Sequence, residues 1–408
     1  MQTQLADFIK NTPKGIEADS ILRRCVHCGF CTATCPTYRL LGDELDSPRG
    51  RIYLIKQMLE GEPITRKTQL HLDRCLTCRT CENTCPSGVQ YARLLDIGRH
   101  LVEQKVARPF WDKIQRAMLR WVLPYPRRFN TLLGLGRVAR PLLPSRLKKQ
   151  IPARIHYATP LMMQRTRTVL LLDGCVQSGL APHFNQATTA VLARLGITTV
   201  SVKQARCCGA VSYHLNAEEE AKATIRQTID AWWPQVEQGV EAIVMTASGC
   251  GAMVKEYHYV LRDDPLYAEK AAKISALTKD LSEIITLNDA KKLGEMGRGH
   301  SPVAFHPPCT LQHGQRLYGQ VESILKQLGF QLVPVTDSYL CCGSAGTYSI
   351  LQPELSQQLL ANRIAALEAN HPSCIVTANI GCWHHLASAS HLPVKHWIEL
   401  LLPQNGGQ

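Results

Sequence analysis

Eight cysteines of this 408-residue chain form one motif twice. The copies are Cys25-Val-His-Cys28-Gly-Phe-Cys31-Thr-Ala-Thr-Cys35-Pro36 and Cys75-Leu-Thr-Cys78-Arg-Thr-Cys81-Glu-Asn-Thr-Cys85-Pro86. Both have the spacing C-x2-C-x2-C-x3-C-P, typical of bacterial two-cluster ferredoxins, in which the fourth cysteine ligates the other copy's cluster. Two intervening residues let three thiolates converge on one cluster, and the proline turns the chain away. The motif predicts two [4Fe-4S] clusters and single-electron transfer.

Structural zinc is the main alternative, because CxxC pairs also build four-thiolate zinc sites. Zinc has no use for the third cysteine of each copy or for the Cys-Pro end, so the pattern favours iron–sulfur. The first ten residues contain no apolar stretch of the kind found in secretion signals. An odd total of seventeen cysteines in a chain without such a signal indicates reduced, metal-bound thiols and predicts a cytoplasmic protein.

Length and composition predict two or three domains with real cores, since 45% of the 408 residues are hydrophobic. No apolar stretch approaches the length of a membrane span. The first predicted domain covers residues 1–100 and contains both motifs, with a short helix over 51–60 whose buried face is Ile52, Ile55 and Leu59. Arg49 and Arg51 have two interpretations: they offset the negative charge of a reduced cluster, or they are solvated cations.

A basic connector, residues 101–165, follows. Between Arg99 and Arg167 there are sixteen Lys and Arg but only two acids, a net charge of +14 for that segment. Apolar residues at helical spacing, ended by prolines, predict an amphipathic helix there; they are Phe110, Ile114, Met118 and Trp121. This helix suits an anionic membrane surface, or alternatively docks on the cluster domain or a partner. Nucleic acid is disfavoured, because no binding fold or base-stacking pattern accompanies the charge.

The connector also contains Gly134-Leu-Gly136-Arg-Val-Ala139, which formally resembles a dinucleotide fingerprint. No strand precedes it and no acidic residue follows at the expected distance, so the match is coincidental. The chain shows no flavin, nicotinamide or haem motif. Its electrons must therefore come from another protein.

The last region is an internal repeat of two CCG modules, predicted at 166–290 and 300–400. Each module has one cysteine, a Cys-Cys-Gly and a final cysteine at matching intervals; the cysteines are Cys175, Cys207, Cys208 and Cys250 in the first copy, and Cys309, Cys341, Cys342 and Cys382 in the second. Strand-like runs at 168–172, 197–202, 242–246, 303–305, 331–335 and 375–377 alternate with helical segments ending at Leu195-Gly196 and Leu328-Gly329. This predicts α/β modules with parallel strands and cysteines beyond the strands' carboxyl ends.

These module cysteines bind a further cluster, form a redox dithiol or simply pack, and the residues leave the three options open. Cys374 lies outside the repeat and is predicted to be a core residue. Seven histidines show no ligand spacing and are predicted to be ordinary polar or core residues; they are His27, His214, His306, His313, His384, His385 and His396.

The order of cluster domain, basic connector and paired CCG modules resembles the family of glycolate oxidase (glycolate dehydrogenase) iron–sulfur subunits. The stretches that carry the resemblance are Asp19-Ser-Ile-Leu, Cys25-Val-His-Cys28-Gly-Phe-Cys31, Asp43-Glu-Leu-Asp-Ser-Pro-Arg-Gly-Arg-Ile-Tyr-Leu-Ile-Lys56, Thr246-Ala-Ser-Gly-Cys250-Gly and Cys341-Cys342-Gly-Ser-Ala-Gly-Thr-Tyr348. Related subunits occur in anaerobic glycerol-3-phosphate dehydrogenase, lactate-utilisation complexes and heterodisulfide reductases.

The resemblance implies an α+β multidomain fold, with a helical ferredoxin-type domain for two [4Fe-4S] clusters before two α/β CCG modules. One ligand set would be Cys25, Cys28, Cys31 and Cys85; the other would be Cys35, Cys75, Cys78 and Cys81. The heterodisulfide reductase module ends in CxxC, whereas Ala247 and Asn379 stand three residues before Cys250 and Cys382 here. That departure weakens a disulfide-reductase interpretation.

The function so implied is electron transfer inside a glycolate-oxidising complex, from FAD on partner subunits towards membrane quinone. The chain itself would hold no catalytic residue and would lie peripherally on the inner face of the cell membrane. Two alternatives remain: a catalytic thiol/disulfide reductase that uses the CCG modules, or the equivalent subunit of a lactate or glycerol-3-phosphate dehydrogenase.

Overall fold

The computed structural model describes residues 1–142, 144, 148, 151, 152, 155, 167–297 and 301–403. The chain divides into two compact units. The first consists of Met1–Ala117 with Tyr339–Arg363, and the second of Met118–Ser338 with Ile364–Gln408.

The first unit contains the two cysteine motifs among short helices. They are α1 (Pro13–Arg24), α2 (Phe30–Ala33), α3 (Pro36–Leu41), α4 (Pro48–Leu59), α5 (Arg66–Asp73), α6 (Thr80–Thr84) and α7 (Tyr91–Lys105). The helix predicted between the motifs is confirmed as α4, with Ile52, Ile55 and Leu59 buried. It begins earlier than predicted because the Ser47 hydroxyl caps it by accepting from the Gly50 N–H, and Pro48 suits the first helical position.

The core of this unit joins the helices to the cysteines. Its aliphatic residues are Ile21, Leu22, Ile52, Ile55, Leu59, Leu72, Leu94 and Leu95, and Cys25, Cys75 and Cys81 pack in the same cluster. The two motifs are therefore held by a shared hydrophobic core rather than by surface loops.

The connector forms helices α8 (Phe110–Val122) and α9 (Pro126–Ala139). The amphipathic helix predicted from the apolar spacing is confirmed as α8. Gly134 to Ala139 lie inside α9, so they form no strand-to-helix turn and the dinucleotide match is coincidental, as predicted. The boundary predicted at residue 165 lies outside the described residues.

The first CCG module has a four-stranded parallel sheet in the order β2-β1-β3-β4. Its strands are β1 (Arg167–Leu171), β2 (Ile197–Ser201), β3 (Ala242–Met245) and β4 (Thr278–Asp280). The helices are α10 (Gln177–Leu180), α11 (His183–Arg194), α12 (Ala210–His214), α13 (Glu218–Glu237), α14 (Ser248–Lys255), α15 (Tyr257–Val260), α16 (Ala268–Leu277), α17 (Leu281–Ile284) and α18 (Leu287–Leu293). Three of these strands were predicted, whereas β4 was not.

The second module has a three-stranded parallel sheet in the order β5-β6-β7. Its strands are β5 (Val303–His306), β6 (Cys374–Thr377) and β7 (Val394–His396), and its helices are α19 (Gln320–Gln327), α20 (Tyr348–Leu351), α21 (Pro353–Glu368) and α22 (Ile380–Ala389). The strand predicted at 331–335 is wrong, since only a bridge between Val303 and Leu332 forms there. Pro334 has no N–H to donate to a neighbouring strand.

Candidate metal centres

The two cysteine motifs fold alike. Left-handed backbone occurs at His27 (φ 55°) and Gly29 (φ 86°) in the first copy, and at Thr77 (φ 53°) and Arg79 (φ 60°) in the second. A short helix follows in each copy, α2 or α6. The left-handed residues curl the loop around its own sulfur atoms, and the Thr77 N–H donates to Cys75 Sγ at 3.5 Å. The repeat seen in the sequence is therefore also a repeat of backbone conformation.

The two copies meet directly at equivalent positions. Helix α2 packs against α6. The Thr34 and Thr84 hydroxyl oxygens, fifty residues apart in sequence, lie 3.2 Å from each other. Cys35 and Cys85 follow these threonines immediately. The fourth cysteine of each copy therefore stands at the junction with the other copy.

One cavity is lined by five cysteines drawn from both motifs: Cys25, Cys28, Cys31, Cys81 and Cys85. Arg49 and Tyr91 also border it. Cys28 is exposed, and Cys31 is only partly buried. This cavity, called the outer cavity below, therefore reaches the protein surface.

A second cavity is lined by four cysteines, Cys35, Cys75, Cys78 and Cys81. All four are buried. Arg51 and Tyr91 contribute to its wall. Because Cys81 and Tyr91 border both cavities, this inner cavity adjoins the outer one.

The donor set of both cavities fits thiolate-bound iron. Burial raises the pKa of Cys31 to about 11 and the pKa of Cys81 well above its ordinary value. Buried thiols of this kind ionise only when a strong positive charge compensates them, as bound iron does. The inner cavity also places hydroxyl groups near sulfur: Tyr91 donates to Cys75 Sγ at 3.5 Å and Thr80 to Cys78 Sγ at 3.4 Å.

Tyr348 lies near Cys75, one of the cysteines that line the inner cavity. Its hydroxyl is buried and, among the described residues, has no hydrogen-bond partner. Burial raises the pKa of this phenol, and the nearby Cys75 thiol raises it further. An orphaned buried donor beside these cysteines fits an acceptor such as cluster sulfur.

A buried charge network supports the inner cavity. The Arg51 guanidinium, 1% exposed, donates to the backbone carbonyl of His71 at 2.7 Å and to the Thr37 hydroxyl at 3.1 Å. It also lies 3.2 Å from Asp46 Oδ1. Arg74 approaches the other oxygen of Asp46 at 2.8 Å. Two arginines against one carboxylate leave net positive charge beside the inner cavity.

The two arginines that the sequence singled out have different roles. Arg51 is internal, and although burial opposes its charge, Tyr91 and the neighbouring thiols raise its pKa above the ordinary value. The solvated-cation interpretation is therefore wrong for Arg51. Arg49 lies at the surface, where its side chain is 35% exposed and pairs with Glu44 at 2.7 Å.

Several connector cations are also internal, which sequence reasoning missed. Arg108 is buried and pairs with Asp73 at 2.7 Å and with Glu103 at 2.6 Å. Arg116 is buried and pairs with Asp112 at 2.9 Å. Part of the +14 charge is thus paired inside the protein and anchors α8.

The apolar stripe of α8 is exposed in this chain. Phe110 is 69% exposed, Trp111 76% and Trp121 52%, and Met118 and Ile114 are exposed as well. Arg128 lies over the Trp121 and Tyr125 rings, 4.8 and 4.2 Å from their centroids. Aromatic rings beside exposed cations form the kind of surface that binds a partner or a lipid headgroup region.

The four cysteines of the first module lie together in the second unit, beyond the carboxyl ends of β1, β2 and β3 as predicted. In the second module, Cys309 and Cys382 belong to the second unit, whereas Cys341 and Cys342 belong to the first. Cys374 is buried within β6, as expected of a core residue. His396 is likewise a core residue, whose ring bonds the Thr246 carbonyl at 2.9 Å.

The cavities and the two parallel-sheet modules define a class, that of dicluster iron–sulfur proteins with paired cysteine-rich modules. Family models agree: a 4Fe-4S dicluster domain matches residues 21–89, and a cysteine-rich domain matches 169–255 and again 303–387. The chain is 57% identical over 402 residues to the glycolate oxidase iron-sulfur subunit of Escherichia coli (strain K12), covering 98% of each protein. The chain belongs to the family of glycolate oxidase iron–sulfur subunits.

Two more distant relatives are similar to all or part of the chain. The probable glycolate oxidase iron-sulfur subunit of Bacillus subtilis (strain 168) is 30% identical over 92% of this chain and 90% of its own length. Lactate utilization protein A of Geobacillus kaustophilus (strain HTA426) is 28% identical over 58% of this chain and 99% of its own length. In the part of the chain that the structure describes, no helix combines the length and apolarity needed to cross a bilayer.

Proposed function

We propose that this chain transfers electrons within a glycolate-oxidising complex and holds two [4Fe-4S] clusters. One set of ligands is Cys25, Cys28, Cys31 and Cys85, and the other is Cys35, Cys75, Cys78 and Cys81. The observation that carries the proposal is the pair of adjoining cavities, each lined by one of these sets. When bound, such clusters accept and release single electrons.

The two cavities differ in their exposure and in the charge beside them, which favours different roles in electron transfer. Cys28 brings the outer cavity to the surface, where a redox partner can approach it. Arg51 places a buried positive charge beside the inner cavity, which favours an added electron there. Tyr91 is buried, borders both cavities and donates to Cys75 Sγ.

The substrate chemistry belongs to a partner in this proposal. The sequence contains no flavin or nicotinamide motif, while the E. coli relative is named as a subunit of glycolate oxidase. An FAD-containing partner would oxidise the hydroxy acid, and membrane quinone would receive the electrons. Glycolate is favoured over lactate because identity to the glycolate oxidase subunit is 57% over 98% of the chain, against 28% over 58% for the lactate utilization protein.

The exposed face of α8 is the proposed contact with the inner face of the cell membrane. Its aromatic residues and the adjacent exposed cations Arg127 and Arg128 match an anionic lipid surface. The rings supply amphipathic contact at the depth of the headgroups, and the cations supply attraction to lipid phosphate.

Activity of the separated and reassembled proteins tests the function. The purified chain alone should not oxidise glycolate, and activity with an artificial acceptor should require the flavoprotein partner. Electron flow to a quinone analogue should then require this chain as well. Glycolate turnover by the single chain, free of flavin, would overturn the proposal.

The ligand sets are tested by Cys85→Ser. Crossed ligation predicts that this change disturbs the cluster of Cys25, Cys28 and Cys31, since Cys85 lines their cavity. Cys35→Ser is the matched variant, because the same position of the first copy lines the other cavity. EPR spectra of the two variants should show complementary losses, and identical spectra would contradict the assignment.

A further inference from the structure

The loop of the first cysteine motif exposes two large apolar side chains beside the exposed Cys28. Val26 is 67% exposed and Phe30 60%. Cys28 lies between them in the sequence and borders the outer cavity. Tyr53 is exposed as well, and its ring centroid lies 6.5 Å from that of His27 in the same loop. Several exposed apolar residues around one proposed cluster ligand indicate a binding surface.

The second motif provides an internal comparison, because left-handed residues occur at the same positions of its loop. Leu76 occupies the position of Val26, and Thr80 occupies the position of Phe30. Leu76 is 5% exposed and Thr80 2%. The same two positions are therefore covered by the chain itself in the second copy and open to solvent in the first.

The arginine directly before each motif differs in the same way. Arg74, before the second motif, lies 2.8 Å from Asp46 Oδ2 in the same chain. Arg24, before the first motif, is exposed and has no carboxylate partner among the described residues. A surface that covered the first motif as the chain covers the second would therefore supply both apolar contacts and a carboxylate.

The other arginines close to the first motif in sequence are already neutralised within the chain. Arg23 pairs with Asp19 at 2.7 Å, and Arg49 pairs with Glu44 at 2.7 Å. Arg24 is thus the positive charge that remains for a partner to neutralise. Complementary charge at the rim of an interface speeds association and fixes the orientation of the two proteins.

We infer that Arg24, Val26, Cys28 and Phe30 form the surface on which the FAD-containing electron donor docks, and we call this surface the entry patch. The inference rests on the proposed function, in which a redox partner approaches the outer cavity at Cys28. The donor presents an apolar surface to Val26 and Phe30 and a carboxylate to Arg24. Docking there excludes water from Cys28 and brings the donor to the edge of the outer cavity.

Two other occupants suit the entry patch less well. In a symmetric contact between two copies of this chain, both patches would carry Arg24 and neither would bring a carboxylate. An anionic lipid surface attracts clusters of cations, whereas the entry patch contains a single arginine. An electron donor is the occupant whose task requires contact beside an exposed cluster ligand.

Binding of the cluster-loaded, full-length chain to the purified FAD-containing partner tests the entry patch. Val26→Ser with Phe30→Ser should weaken binding at least about tenfold, because a few apolar anchors dominate the affinity of an interface. Arg24→Glu should slow association and reduce the dependence of affinity on salt. The matched controls are Leu70→Ser and Arg66→Glu, at exposed positions of α5 that border neither cavity, and both should bind like the wild type.

Stopped-flow measurement of cluster reduction by glycolate and the flavoprotein separates this inference from the proposed function. Wild-type clusters that glycolate cannot reduce through the flavoprotein would overturn both. Normal reduction of the wild type, with unchanged rates and affinities in the entry-patch variants, would overturn the docking surface alone. Dithionite should bring every variant to the wild-type EPR spectrum, since the substitutions leave the cysteine ligands in place.

A photoreactive side chain identifies the occupant of the entry patch without removing its apolar character. p-Benzoylphenylalanine in place of Phe30 should cross-link to the flavoprotein on irradiation, and the same group in place of Leu70 should not. Cross-links from position 30 to a second copy of this chain or to lipid, with none to the flavoprotein, would contradict the inference.

Discussion

Arg51 is a single residue that places a buried charge beside the proposed inner cluster. Its guanidinium is enclosed with Asp46 and Arg74, so bulk water does little to screen the net positive charge of the group. Arg49, two residues earlier, pairs with Glu44 at the surface. Adjacent arginines therefore differ in their influence on the cavities they border.

We predict that Arg51→Gln lowers the reduction potential of the inner cluster. A unit charge about 8 Å away, in a medium of effective dielectric about 20, contributes about 2 kcal/mol, on the order of 100 mV for one electron. EPR-monitored redox titration measures the change. Arg49→Gln is the matched control and should shift either potential far less, and equal shifts in the two variants would contradict the role given to Arg51.

The single residue His396 makes the stability of the folded chain depend on pH in the acid range. Burial lowers its pKa to about 3, while one ring nitrogen bonds to the Thr246 carbonyl and the other accepts from the Ile398 N–H. The nearby His183 lowers the pKa further, and Glu399 accepts from the His396 backbone N–H at 2.6 Å. The neutral ring is therefore the form that the fold requires.

The sign of the pH dependence follows from that requirement. The unfolded chain binds a proton at His396 below about pH 6.5, whereas the folded chain does not until about pH 3. The contribution of neutral His396 to the free energy of unfolding is thus complete above about pH 6.5. It decreases as the pH drops and is smaller by about 2 kcal/mol at pH 5. His396→Gln should show a smaller loss of unfolding free energy between pH 7 and 5 in urea titrations. His391→Gln, at an exposed position, should keep the wild-type slope.

At the scale of elements, regular patterns were predictable and contacts between distant residues were not. Helix α4 and strand β3 follow directly from apolar spacing. Strand β7 has only three residues and β4 is largely polar, so neither stands out in a single sequence. The Asp46 network joins residues up to twenty-eight positions apart on different helices, and nothing local marks them as partners.

The exposed face of helix α8 leads to a prediction about membrane binding. Exposed rings and cations should bind vesicles of phosphatidylglycerol and phosphatidylethanolamine, with affinity that falls as salt rises. Arg127→Glu with Arg128→Glu should weaken co-sedimentation at least about tenfold, since each cation near the surface contributes about 1 kcal/mol. Arg116 is unsuitable for this test because it is buried and paired with Asp112.

The control for this prediction reverses the charge of two adjacent lysines that lie outside the connector. Lys291→Glu with Lys292→Glu changes the net charge equally on the exposed side of α18. If both double variants lose binding to the same extent, net charge alone governs the interaction. Unchanged binding in the Arg127→Glu, Arg128→Glu variant would leave a partner protein as the occupant of the exposed face of α8.

At the scale of the whole chain, compact units and sequence modules do not coincide. The sequence predicts divisions at 1–100, 101–165, 166–290 and 300–400, and these remain predictions. The structure groups Tyr339–Arg363 with Met1–Ala117, the segment that contains both cysteine motifs. No feature of the single sequence marks that grouping, because the second module repeats the first in its cysteine spacing.

The first unit should depend on metal for its stability, since Cys25, Cys75 and Cys81 lie in its hydrophobic core. In Cys25→Ser with Cys75→Ser, both proposed clusters lose a ligand, so amides of α1, α4 and α7 should exchange much faster by mass spectrometry. Amides of β1, β2 and β3 in the second unit should keep their protection. Equal loss of protection in both units would show that they unfold together.

The exposure of Cys28 has a consequence for the lifetime of the protein in air. Oxidation of a cysteine follows its thiolate character and its accessibility, and Cys28 is the exposed member of the eight motif cysteines. Oxygen and peroxide therefore reach the outer cavity first, while the buried thiols of the inner cavity are shielded. If electrons enter at the outer cavity, as proposed, damage by air should interrupt their transfer from the partner before the proposed inner cluster is affected.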